Sequence, residues 1–275
     1  MERESGGIPG KDGLMKRLFI ATALGIVFIC VLPVQGMKKQ PPPDVYGRVI
    51  INNYSTKAGR APVVFDHWLH RSRFTCRLCH VDLGFAMEPG GTRINASGNM
   101  SGQYCGACHN GKMVVGDRRV FEACSRKTGP EQAMPCERCH SLGKNVKKEN
   151  DFYAFTKKYP KELFGNEIDW EKAEADGVIR LTDVLEGYVK RSSLPIPKDF
   201  ELKSSGSWMS DIKFSHKKHA VWSGCESCHP DIFNVAKGAT RYTMIQVFDG
   251  EYCGICHGTV SFPLLDCRRC HRKPV

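Results

Sequence analysis

The 275-residue chain is 41% hydrophobic and 25% charged, long enough for one or two domains and too apolar for a disordered polymer. Its net charge of +11 raises nucleic acid as a partner, but no helix-turn-helix pattern or aromatic-basic RNA motif accompanies it, so no nucleic acid is expected. The unusual components are 14 Cys and 10 His, which can mean disulfides, zinc or haem, and spacing decides among these.

Taken in chain order, residues 1–36 read as an export signal. Lys16 and Arg17 precede an apolar run from Leu18 to Leu32, Pro33 breaks it, and Val34-Gln35-Gly36 offers small residues for cleavage. The alternative is an uncleaved membrane anchor, but the run is shorter than the ~20 residues of a comfortable span. Cys30 follows Ile29 rather than the small residue of a lipoprotein site. On either reading the remainder lies outside the cytoplasm, in the periplasm first of all, with an anchored or outer-membrane position as the variants. Residues 37–44 form a Pro-rich tether.

The chain then repeats itself. Phe65-Asp66-His67-x-x-His70 precedes Cys76-Arg77-Leu78-Cys79-His80, and Phe214-Ser215-His216-x-x-His219 precedes Cys225-Glu226-Ser227-Cys228-His229, 149 residues further on. Tyr104-Cys105-Gly106-Ala107-Cys108-His109 matches Tyr252-Cys253-Gly254-Ile255-Cys256-His257, and each half closes on a third site, Cys136-x-x-Cys139-His140 and Cys267-x-x-Cys270-His271. Such repetition indicates two copies of one structural unit, predicted at 45–142 and 198–275. Each copy opens on a predicted β-hairpin, Arg48–Ile51 with Ala61–Phe65 and Phe200–Leu202 with Asp211–Phe214. The connecting segment 143–197 is too long for a bare loop. It carries a predicted helix from Asp169 to Asp176, stopped by Gly177, and is expected to pack over haem surfaces between the copies.

Cys-x-x-Cys-His has this spacing for a chemical reason. Two thiols two residues apart can each bond one vinyl group of a porphyrin, and the adjacent His then reaches the iron as proximal ligand. Six such motifs in one exported chain predict six covalently bound c-type haems and argue against zinc knuckles or redox dithiols. About one net negative charge per ferric haem would offset roughly half of the positive excess. The proximal histidines are His80, His109, His140, His229, His257 and His271. The four remaining ones, His67, His70, His216 and His219, all lie in the two His-x-x-His units, the pattern of distal ligands rather than scattered structural residues. Two irons are then left without a distal histidine.

These motifs resemble the cytochrome c7 group of three-haem domains, related to cytochrome c3, and the whole chain is similar to the tandem c7-type cytochromes of metal- and sulfur-reducing bacteria. The resemblance implies two tandem trihaem domains with short β-hairpins and short helices wrapped around haems that replace a hydrophobic core. It implies that His67 and His216 serve the first haem of their domains, and that His70 and His219 reach over to the second. The third haem of the simplest relatives takes a His just before the second attachment site, which this chain lacks. Met244 and Met100 are the candidate substitutes, with Met87 a further one in the first half, against the alternative that these residues only pack on porphyrin. Cys124 is read as a buried bystander, or as the relic of an attachment motif.

The expected function is electron transfer in an extracytoplasmic respiratory chain, toward a periplasmic or extracellular acceptor. Expected partners are an inner-membrane quinol-oxidising cytochrome and an outer-membrane conduit or terminal reductase. The rival is a multihaem reductase with an open distal position at the iron of His140 or His271.

Overall fold

Strand pairing in the computed structural model begins at Arg48; the structure describes residues 40–124, 133–187, 194–204, 206 and 208–272. The export signal, Cys30 and the first residues of the Pro-rich stretch lie outside the described residues. Among the described residues no helix is long and apolar enough to cross a membrane.

In the first half, β1 (Arg48–Ile51) pairs antiparallel with β2 (Val63–Asp66), Arg48 opposite Asp66 and Ile51 opposite Val63. A half-buried ion pair fastens the open end, Arg48 Nε to Asp66 Oδ1 at 2.6 Å. The strand runs directly into helix α1 (His67–Arg71), so the His-x-x-His unit is helical and both rings leave one short face. After α2 (Ala96–Met100) comes a small hairpin, β3 (Val114–Val115) with β4 (Arg118–Arg119), turning at Gly116 with φ +64°. It falls where the first half carries 17 more residues than the second. Then come α3 (Ala133–Cys139), α4 (Lys144–Glu149), α5 (Phe152–Phe155) and α6 (Trp170–Ala175). As the sequence predicts, Gly177 ends α6, at φ +70°; Asp169 lies just outside the helix as its cap, accepting from the Lys172 backbone N–H.

The second half repeats the plan. β5 (Phe200–Leu202) pairs with β6 (Ile212–Phe214), and α7 (His216–Ser223) follows with Ser215 as its N-cap. α8 (Met244–Phe248) starts with a capping box of Thr243 and Gln246, and α9 (Cys267–Cys270) is the last helix among the described residues. No described helix exceeds the eight residues of α7.

Ordinary apolar core is scarce, and the connecting segment supplies most of it. Phe152, Ile168, Trp170, Ala173 and Ile179 bury themselves against Trp68 of α1, and Leu185 packs on Phe74 and Leu78. The segment also anchors the end of the Pro-rich stretch. Buried Asn166 donates to the carbonyls of Pro43 (2.7 Å) and Tyr46 (3.0 Å), and Lys147 pairs with Asp44. That end is therefore docked rather than a free tether, because two backbone carbonyls find donors there.

Candidate haem-binding sites

Each attachment motif is wound into a single helical turn. The backbone N–H of the motif histidine bonds the carbonyl of the first cysteine at His109, His140, His229, His257 and His271, at 2.8–3.0 Å. That closes the loop so that both thiols and the imidazole leave the same turn. At the second sites the residue between the thiols must be glycine for want of space. A Cβ on Gly106 would stand 1.9 Å from the carbonyl oxygen of Asn99, and one on Gly254 would stand 1.9 Å from that of Val247. The attachment turn thus lies directly on the preceding helix, α2 or α8.

Across the cavity the histidines face one another in pairs. His67 and His80 are parallel within 6°, with ring centroids 6.4 Å apart. His70 faces His109 at 6.3 Å, and His219 faces His257 at 6.1 Å. A metal held by two opposed imidazoles, each bond roughly 2 Å long, separates the ring centroids by about 6 Å. Residues three apart on α1 therefore point at two different motifs. His216 and His229 line the same cavity as these pairs. The aromatic residue ahead of each pair positions it: Phe65 packs on His70 at 4.4 Å and edge-on to His67, and Phe214 does the same to His219 and His216.

The other ring nitrogen is occupied by backbone. Nδ1–H donates to a carbonyl at His67 (Gly47, 2.5 Å), His80 (Phe85, 2.9 Å), His140 (Ala61, 2.6 Å) and His216 (Lys198, 3.2 Å). It does so also at His219 (Ser215, 2.8 Å), His229 (Phe233, 2.7 Å) and His271 (Ser210, 2.6 Å). A carbonyl can only accept, so Nδ1 carries the proton and Nε2 keeps its lone pair for a metal. At His70, His109 and His257 the buried Nδ1 has no partner in hydrogen-bond geometry, and the carbonyls of Asp66, Phe121 and Phe262 act on those rings more weakly.

Burial drives these imidazoles toward the neutral form, lowering His67 to about 4, His70 to about 3 and His257 to about 4. It pushes the thiols of Cys79, Cys105 and Cys256 up to about 12. Among the described residues the donors nowhere gather in groups of three or more around one point. Six of the histidines stand in three opposed pairs along one cavity of about 3970 Å³, which all ten histidines and all twelve motif cysteines line. An ordinary ligand pocket measures roughly 300–1,000 Å³. This donor set fits several flat, apolar, doubly ligated groups in contact, which is the arrangement of haems.

Met100 and Met244 line the cavity at the end of α2 and the start of α8, 37% and 42% exposed, and Met87 lines it as well. Cys124 is half-buried at φ +55°, with the Asn99 amide 3.9 Å from its sulfur. One positioning device was not visible in the sequence. The second-site histidines carry a phenylalanine, Phe121 on His109 (4.4 Å) and Phe262 on His257 (4.2 Å). An arginine from within the third motif, Arg138 or Arg269, covers each phenylalanine. The two phenylalanines lie 12 and 5 residues after their histidines, so alignment of the halves does not pair them.

Short hairpins and helices around a cavity lined by repeated Cys-x-x-Cys-His turns define a multihaem c-type cytochrome. The family model of cytochrome c7 and related cytochrome c matches residues 63–141 and 212–272, and the chain belongs to that family. Among solved structures it is similar to a c7-type three-haem cytochrome domain, 38% identical over 27% of this chain and 93% of that one, with a TM-score of 0.25. It is also similar to the C-terminal hexahaem fragment of a dodecahaem cytochrome c, 24% identical over 85% of this chain and 99% of that one, TM-score 0.26. The N-terminal hexahaem fragment is 21% identical over 82% and 98%, TM-score 0.24. No curated protein matches the chain. Membership of this family implies electron transfer among haems.

Proposed function

We propose that the chain carries six c-type haems in two trihaem domains, 45–142 and 198–275, and works as a non-enzymatic electron carrier outside the cytoplasm. Bound haem supplies one-electron redox chemistry at an iron whose potential follows its axial ligands and surroundings. The paired cysteines of the six motifs hold the porphyrins, and the motif histidines take the proximal positions. His67 and His70 take distal positions in the first half, and His216 and His219 in the second. Met100 and Met244 are proposed for the two irons of His140 and His271, where methionine would raise the potential. Backbone carbonyls at Nδ1 lock the orientations of seven of the ten rings, so little rearrangement accompanies a change of charge there.

The observation that carries this reading is the parallel His67–His80 pair at 6.4 Å. With both axial positions filled, an iron has no place for substrate, which favours carriage over catalysis. The respiratory partners are a quinol-oxidising cytochrome of the inner membrane and an outer-membrane conduit or terminal reductase, met transiently and steered by surface lysines. The chain acts in the periplasm, with membrane association through its N-terminal segment as the variant.

Intact mass of the exported protein should show six haems, and low-temperature EPR of the oxidised form should show only low-spin iron. High-spin iron that responds to a small added ligand would instead place an open site at His140 or His271 and favour the reductase reading.

A further inference from the structure

The two halves meet where their attachment segments touch. From the first half come Tyr46, Arg71 and the motif residue Arg77; from the second come Trp222, Gly224 and the turn after His257. Tyr46 donates to the Ser261 carbonyl at 2.6 Å, and Arg71 Nη1 donates to the Val260 carbonyl at 2.6 Å. A Cβ on Gly224, next to Cys225, would lie 2.4 Å from Arg77 Cδ. The Arg71 guanidinium lies over the rings of Trp170 (4.6 Å) and Trp222 (5.4 Å). Its charge reaches Cys76 and His67 on one side and Cys256 and His257 on the other.

Four other arginines beside the motifs are neutralised. Arg48 pairs with Asp66, Arg77 with Asp183, Arg138 with Glu149 and Arg269 with Glu162. No carboxylate pairs with Arg71 among the described residues; one carbonyl and two indole faces hold it instead. The repeat places Ala220 at the corresponding position of the second half, so this cation belongs to one half alone. A guanidinium stays protonated in proteins, and a charge in a low-dielectric interior acts strongly over several ångströms.

We propose that Arg71 is a potential-setting residue: a fixed positive charge at the seam that raises the reduction potentials of the haems attached at Cys76–Cys79 and Cys253–Cys256. A cation beside an iron disfavours the more positive ferric state and so stabilises the reduced one. This rests on the six-haem reading, and a wild-type haem count below six would defeat that reading before any potential is measured.

The test is a site-resolved redox titration, by NMR of the haem methyl groups, on the full-length holoprotein and its Arg71→Met variant. Two of the six potentials should fall, each by roughly a tenfold change in the oxidised-to-reduced ratio, or about 59 mV for a one-electron couple. Arg71→Lys keeps the charge and should stay close to wild type. A methionine variant that titrates like wild type, or that shifts all six haems evenly, overturns the proposal. If that variant does not hold six haems, the wild-type protein decides. The haem at Cys76 should then titrate above its counterpart at Cys225, where Ala220 replaces the cation, and an equal or reversed order overturns the proposal.

Discussion

The imidazoles of His67 and His80 lie face to face, parallel within 6° and 6.4 Å between centroids, although 13 residues separate them in the chain. His70, three residues after His67 on the same short helix, faces His109 instead. One turn of helix thus serves two motifs. The family resemblance implies this division, and here it has a geometry. His67→Ala and His70→Ala should each convert one iron to high spin, and the double variant two, as counted by low-temperature EPR. Two single variants that perturb the same haem would sink the pairing.

Gly106 and Gly254 should tolerate no side chain. Neither has a positive φ among the described backbone angles; the constraint is a carbonyl oxygen 1.9 Å from where a Cβ would stand. Backbone cannot yield as a flexible side chain does, and forced overpacking costs about 1–3 kcal/mol or more. Gly254→Ala should lift the second attachment turn off α8 and leave the protein one haem short by intact mass. A full haem complement would show that the turn can retreat.

Trp170 is 8% exposed, packs in the cluster around Trp68 and forms one face of the Arg71 seat. Truncating a buried Trp costs about 3–5 kcal/mol, and this chain has little other apolar core to absorb the loss. Trp170→Ala should lower the thermal midpoint followed by far-UV circular dichroism, and Trp170→Phe should recover much of it. An unchanged midpoint in the alanine variant would mean that the cluster contributes little once haem is bound.

Asn166 donates from its amide to both Pro43 and Tyr46. Asn166→Ala leaves two carbonyls unpaired, at about 1–3 kcal/mol, and should expose residues 40–46 to a broad-specificity protease at doses that leave the wild type intact. Asn166→Asp should be worse, because it turns an acceptor toward two acceptors. Equal resistance in all three proteins would show that other contacts hold this stretch.

Both main hairpins and α6 were legible because short runs of strand-forming residues, and a helical run stopped by Gly177, are local patterns. The small β3–β4 hairpin was missed although Val114-Val115-Gly116-Asp117 carries a turn signal, since two-residue strands are too short for alternation to register. The carbonyl partners of the histidines were invisible for a different reason. His140 finds Ala61 and His271 finds Ser210, and any residue has a carbonyl to offer, so composition carries no mark of the choice.

By itself the sequence determined the chemistry: thiol pairs at vinyl spacing, a ligand beside each pair, four further histidines in matching places, and the doubling of the whole pattern. These follow from covalent geometry and short spacing, which survive in a linear string. Tertiary structure alone decided why glycine stands inside the second motif, and that Arg71 reaches a carbonyl 189 residues away with no carboxylate paired to it among the described residues. Those are contacts between surfaces brought together by packing, and no local pattern encodes which distant backbone a side chain will meet.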